Sequence, residues 1–288
     1  MFSLDVSSPS SLPPSLDEYK QLISQLVTHG FTLLNLPKED TLLLESVIEE
    51  GRKMKTFRFP PVDGQTSYNQ IQKEGFKTLF KWSTYILHSL LNTLEPCTSH
   101  PRTQHLLDRL ERTASKADSP LFAPRGEGVH PFRDESDPFG TTFFNVFHYD
   151  HGLLNHHQDR GLITVIYVAP PSQPISDSKT ALWVRRSPEH ALGATEWINA
   201  DQYAGQGRLI VMLGEDFERF YQEALTHFKK HKNSVDFDCS PLWAAEHTTC
   251  VDPEGGYISH AHFRPDPKTS PTGNRVSTAM ILCDDHTQ

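Results

Sequence analysis

Cysteine is scarce: the 288-residue chain has four, Cys97, Cys239, Cys250 and Cys283, and none forms a Cys-x-x-Cys pair. That argues against zinc knuckles and against a disulfide framework. Positive charge is also in short supply, with 27 Lys and Arg against 36 Asp and Glu and a formal net charge of −9. Such a surface offers no general attraction toward nucleic acid or anionic lipid, whose binding rests on basic patches. The one basic cluster, Lys229-Lys230-His231-Lys232, reads as a solvated helix end, where cations suit the helix dipole. Long apolar runs are missing as well. No stretch approaches membrane-spanning length, and Met1-Phe2-Ser3-Leu4-Asp5 lacks the basic start and apolar core of a secretory leader. No internal repeat is evident. These absences predict a cytoplasmic protein with neither nucleic acid nor membrane as partner.

What the chain does have is histidine, sixteen in all. His148, His151, His156 and His157 fall with Asp150 and Asp159 in one stretch, between two runs of strand-forming residues, 143–147 and 162–168. Side chains at i and i+2 of an extended segment point to one face, so His157 and Asp159 can close on a single ion, as can His148 and Asp150. One His and one carboxylate, completed by a His from elsewhere, make the facial triad of non-haem Fe(II) oxygenases. The second pair is the better candidate, because Arg160-Gly161-Leu162-Ile163-Thr164 leads straight into the apolar Val165-Ile166-Tyr167-Val168. His148-x-Asp150 is followed instead by Gly152-Leu153-Leu154-Asn155, which does not read as entry to a strand. Phe147-His148-Tyr149-Asp150-His151 also looks like the tail of the His-x-His-x-Asp-His signature of metallo-β-lactamase-type hydrolases, but the first His of that signature would be residue 146, which is Val.

The texture changes along the chain. Residues 1–14 are rich in Ser and Pro and read as a loose arm. Ser15-Leu16-Asp17-Glu18 reads as a capping box before a helix carrying Tyr19, Leu22, Ile23, Leu26 and Val27 inward and stopped by Gly30. A strand over 31–36 follows, then a helix over about 38–54 with Leu42, Leu43, Val47 and Ile48 inward. Residues 76–95 form a strongly apolar helix and 103–112 another, while 119–139 is a long loop of the kind that covers sites. After residue 141 short strands dominate: 143–147, 162–168, 181–184, 196–198, 208–213, 242–245 and 276–282. A longer helical segment, 215–231, lies among them. Many short strands with Pro- and Gly-rich connections predict a sandwich or jelly roll. Residues 15–118 would thus be a helical region packed on a β core of 119–288, one integrated unit.

The segment His157-Gln158-Asp159-Arg160-Gly161-Leu162-Ile163-Thr164 resembles the His-x-Asp-x-Gly-Leu-Leu-Thr hallmark of the isopenicillin-N-synthase-like family of 2-oxoglutarate- and Fe(II)-dependent dioxygenases. Thr28-His29-Gly30-Phe31-Thr32-Leu33-Leu34-Asn35 is similar to the family's N-terminal segment, and Leu182-Trp183-Val184 and Arg208 to Glu215 to two of its strands. Leu242-Trp243-Ala244-Ala245-Glu246-His247-Thr248-Thr249 looks like the family's leu-x-x-ala-x-x-His-x-Val segment, with Thr248 where a basic residue is expected. The resemblance implies an α+β protein with a mainly β core, a double-stranded β-helix or jelly roll with N-terminal and flanking helices. It implies Fe(II) held by His157, Asp159 and His247, with His262 and His260 as competitors for the third place. Arg275 and Ser277, an Arg-x-Ser pair, would hold the distal carboxylate of 2-oxoglutarate, helped by Asn145, and Tyr149 would stand in for a phenol absent at Phe147. Dioxygen would be consumed, and a small organic metabolite hydroxylated, desaturated or cyclised. An iron oxidase of the same fold that does not use 2-oxoglutarate, and a jelly-roll binding protein with a degenerate metal site, are the alternatives.

Overall fold

A computed structural model describes residues 4–5, 16–53, 70–116, 143–148, 154–168, 181–186, 196–204, 207–232, 242–250 and 276–282. Helix α1 (Leu16–His29) buries Tyr19, Leu22 and Leu26, recurring at helical spacing, and ends where Gly30 takes φ of 79°. The Gly30 N–H closes the last turn on the Leu26 carbonyl at 3.0 Å. The reversed backbone feeds strand β2 (Phe31–Asn35) directly. Helix α2 (Lys38–Lys53) does not turn the face that the sequence suggests. Leu44, Val47 and Ile48 are buried, Leu43 is half-buried, and Leu42 is 52% exposed. At about 100° per residue, Leu42 lies across the helix from Leu44, so only one of the two can point inward. Helix α3 (Gln70–Thr93) begins six residues before its apolar stripe, and the short α4 (Glu95–Thr98) links it to α5 (Pro101–Lys116).

The strands form two sheets. Besides β2 they are β1 (Leu4–Asp5), β3 (Phe143–His148), β4 (Leu154–His157), β5 (Ile163–Val168), β6 (Ala181–Arg186), β7 (Ile198–Asn199), β8 (Arg208–Leu213), β9 (Ala245–Cys250) and β10 (Val276–Leu282). The larger sheet runs β1-β2-β8-β5-β10-β3 and the smaller β4-β9-β6-β7. Pairing is antiparallel throughout apart from β1 with β2. The parallel β1, two residues long, sits inside the segment whose composition reads as an arm. Helix α6 (Asp201–Ala204) precedes β8, and α7 (Glu215–Lys232) follows it.

Strand periodicity divides the interior into two cores. Leu209, Val211 and Leu213 of β8, Val165 and Tyr167 of β5, and Met280 and Leu282 of β10 join Leu22, Leu44, Trp82, Ile86 and Phe217 from the helices. The alternate residues, Phe31, Leu33, Ile166, Ile210, Met212 and Ala279, meet Leu182, Val184 and Ala245 of the smaller sheet. This is a mixed fold of helices and antiparallel sheet, consistent with a jelly-roll core. Two strands lie elsewhere than the sequence suggests. Residues 242–244 are not in a strand, because the Ala244 backbone is engaged by side chains: its N–H donates to Glu218 Oε2 at 2.8 Å and its carbonyl accepts from Gln158 Nε2 at 3.0 Å. The strand starts at Ala245 instead. β4 arises in the segment that seemed not to lead into a strand, pairing with β9 through an irregular register between Leu154 and His157. The long loop 119–139 lies outside the described residues.

Candidate metal centre

The last residue of β4, His157, is the register partner of His247 on β9. Cross-strand partners project to the same side of a sheet, and the two imidazoles stand 4.2 Å apart between ring centroids. Asp159 lies two residues on, in the turn that carries the chain from the smaller sheet to β5 in the larger. Its Oδ1 is 3.6 Å from His157 Nε2 and its Oδ2 3.5 Å from His247 Nε2. One ligand atom from each of the three lies within 4.8 Å of the others, a cluster that can hold a metal ion. His157 and Asp159 therefore do not share one strand, as simple i, i+2 spacing suggests; the strand end and the turn bring them together.

The turn is fixed on several sides. The Asp159 carbonyl accepts the Glu215 N–H at 2.8 Å and the Gly161 carbonyl accepts the Asp216 N–H at 3.2 Å, so the first turn of α7 caps it with amides that a helix leaves unpaired. The Leu162 N–H donates to Leu282 of β10 at 2.7 Å. Gly161 has to be glycine: a Cβ there would collide with Ile281 Cγ2 and come within 2.7 Å of the Leu282 carbonyl oxygen. Thr164, 2% exposed, donates from Oγ1 to Asp159 Oδ2 at 2.6 Å. On the outer face of the smaller sheet, Arg185 Nε donates to Glu246 Oε2 at 2.9 Å and its guanidinium lies 4.3 Å from the centre of the Trp197 ring. The His156 ring packs tilted at 4.7 Å from the same ring, so the neighbours of His157 and His247 are clamped on the opposite side.

The electrostatics suit a cation. Burial by itself would raise the Asp159 carboxyl, but the imidazoles of His247 and His157 and hydrogen bonds from His157 and Thr164 outweigh it and hold the group down at about 2. Burial lowers the His247 imidazole below its ordinary value, against the pull of Asp159, which leaves it neutral with a nitrogen lone pair to offer. His247 Nδ1 faces the Ala245 carbonyl at 3.4 Å, which leaves Nε2 toward Asp159. His157 is the accessible member, its side chain 35% exposed, while Asp159 and His247 are 9% and 4% exposed.

Among the other residues singled out by sequence, Ser277 lies on β10 in register with Val168, 1% exposed and on the strand face of Ala279. Asn145 lies on β3 in register with Ala279. Arg275, Tyr149, Asp150, His260 and His262 lie outside the described residues. Val146, which replaces a histidine of the hydrolase signature, is fully buried in the core shared with the helices. Sequence reasoning missed Gln158 and Glu218, which together hold Ala244 three residues before His247. Their only signal is weak: a polar residue between the two ligands and an acid in the first turn of a helix. A groove of about 780 Å³ runs along α7, lined by Gln158, Glu218, Arg219, Glu223, His227 and Lys230 among others, and none of the three clustered residues borders it.

No protein-family model matches the chain, and no curated protein matches it by sequence. Solved structures do. A protein from Shewanella oneidensis assigned to the oxygenases is 13% identical, with 98% of this chain and 90% of that one covered and a TM-score of 0.51. At that identity the likeness establishes a shared fold. A Caulobacter crescentus protein assigned to the 2OG-Fe(II) oxygenase family is 10% identical over 98% and 86% of the two chains, with a TM-score of 0.49. A full-length Neurospora crassa protein crystallised with alpha-KG is 12% identical over 99% and 85%, with a TM-score of 0.46. No helix among the described residues is long and apolar enough to cross a membrane.

Proposed function

We propose that this chain is an Fe(II)- and 2-oxoglutarate-dependent oxygenase that hydroxylates, desaturates or cyclises a small organic molecule. The observation that carries the reading is the convergence of His157, Asp159 and His247, with ligand atoms within 4.8 Å of one another. Two imidazoles and an ionised carboxylate are the donor set of a facial iron site, which leaves adjacent positions open. The order of strands supports a double-stranded β-helix, since β3 to β10 pass between two sheets ordered β8-β5-β10-β3 and β4-β9-β6-β7. The fold shared with the Shewanella oneidensis protein is in keeping with it.

When bound, Fe(II) with 2-oxoglutarate and dioxygen supplies the oxidising chemistry. The chain's own residues do the rest. Asp159 would give the anionic ligand, oriented by Thr164; His157 and His247 would give ring nitrogens from paired strands. Ser277 on β10, with Arg275 and Asn145, would hold the distal carboxylate of the co-substrate, and the apolar residues between the sheets would keep water from the site. Oxygen uptake that requires both Fe(II) and 2-oxoglutarate tests the reading. His157→Ala and Asp159→Ala should each lower it more than about 100-fold, beyond the effect of losing a supporting partner. Undiminished turnover in both variants rejects the assignment.

A further inference from the structure

Thr249 lies two residues beyond His247 on β9, so the two side chains face the same way, toward the space between the sheets. Its register partners are Leu182 on β6, an inward-facing core residue, and Leu154 on β4. The side chain is 0% exposed, and Oγ1 is buried with no hydrogen-bond partner. Buried hydroxyls are nearly always satisfied, and one left alone costs stability that a valine of the same shape would not. Thr164, the other inward-facing threonine near the cluster, already spends its hydroxyl on Asp159.

We propose that Thr249 is a co-substrate contact: its hydroxyl donates to the distal carboxylate of 2-oxoglutarate held at His157, Asp159 and His247. This rests on the function proposed above. The spacing fits, because residues i and i+2 of a strand stand about 7 Å apart, one step down the strand from the metal ligand and within reach of a five-carbon diacid. A hydroxyl can turn to donate to an anion in an otherwise apolar setting, where such a bond is strengthened.

The test compares wild type, Thr249→Val and Thr249→Ser, with Mn(II) in place of iron to hold the site without turnover. Calorimetric affinity for 2-oxoglutarate and the melting temperature of the metal-free protein are both read. Thr249→Val should bind 2-oxoglutarate roughly tenfold or more weakly while the metal-free protein melts no lower than wild type. Thr249→Ser should keep most of the affinity, and binding of pyruvate, which lacks the distal carboxylate, should be equal in all three. Wild-type affinity in Thr249→Val overturns the proposal and leaves the proposed function standing. A lowered melting temperature of metal-free Thr249→Val also overturns it, by showing that the hydroxyl serves the fold. Failure of wild type itself to bind 2-oxoglutarate sinks the function, and the contact with it.

Discussion

Along β8 the odd and even positions part company. Leu209, Val211 and Leu213 enter the core shared with the helices, whereas Ile210 and Met212 enter the core shared with the smaller sheet. The helix side is filled by large apolar groups, Trp82, Tyr167, Phe217 and Tyr221 among the biggest fully buried. The side between the sheets holds Phe31, Leu33, Ile210 and Met212 together with the smaller Ala245, Ala279 and Val184, and Thr164, Thr249 and Ser277 are buried there as well. A sheet with one face packed on helices and the other carrying hydroxyls and small residues among its apolar ones keeps its shape on one side and offers polar groups on the other. The two faces should therefore fail differently when cut.

The largest effect belongs to the helix side. Trp82 of α3 is 0% exposed, and its indole N–H donates to Asp40 Oδ2 at 2.8 Å. Trp82→Ala should cost about 3–5 kcal/mol of stability in chemical denaturation, through lost burial and the cavity left behind. The affinity of the remaining folded protein for Mn(II) should be unchanged. A parallel loss of metal affinity would mean that the two faces are not independent. Next comes the inner face. Thr164→Val removes the 2.6 Å hydrogen bond to Asp159 Oδ2 without changing side-chain shape. Loss of a partner that orients a metal ligand should weaken Mn(II) binding about 10–100-fold, with melting temperature little moved and Thr164→Ser restoring the affinity. A large drop in melting temperature with normal metal binding would mean that the hydroxyl serves the fold and not the metal ligand.

Much of this division was legible in the sequence, for a physical reason. A strand buried on both faces leaves a short unbroken run of apolar and β-branched residues, so 162–168 and 208–213 were readable as buried strands, and α1 and α3 announced themselves by apolar spacing. The His157-x-Asp159 pair was visible because the ligands sit next to a strand and a glycine that the packing of Ile281 and Leu282 demands. What was not legible depends on contacts between distant segments. Which leucine of Leu42-Leu43-Leu44 turns inward is decided by helix phase against neighbours that the sequence does not name. The start of β9 is set by Glu218 and Gln158, respectively 26 and 86 residues from Ala244. β4 is four residues long and gains its place from pairing with β9, not from its own propensity.

The smallest expected effect lies on the helix side, where a polar group is buried without the compensation seen at the metal centre. His100, between α4 and α5, packs edge-on against Phe220 at 5.4 Å and against His227 at 5.4 Å between ring centroids, and its Nδ1 is buried with no hydrogen-bond partner. Its imidazole titrates below the ordinary value, first because of burial, then because His227 and Arg102 disfavour a second positive charge, with Glu223 pulling weakly the other way. Arg102 is tied to that same Glu223 by a 2.6 Å ion pair, which blunts the help Glu223 can give. The sign follows from linkage. Between the ordinary histidine value of about 6.5 and the lower folded value, the unfolded chain binds a proton that the folded chain does not, so stability declines as pH falls through that window. His100→Gln removes this contribution and should flatten the fall in melting temperature between about pH 6.5 and 5 relative to wild type. Asp159 does not interfere, since its depressed carboxyl affects stability only in more acidic solution, where the unfolded carboxyl begins to protonate. A steeper acid limb in the variant would show that Glu223, and not burial, governs His100.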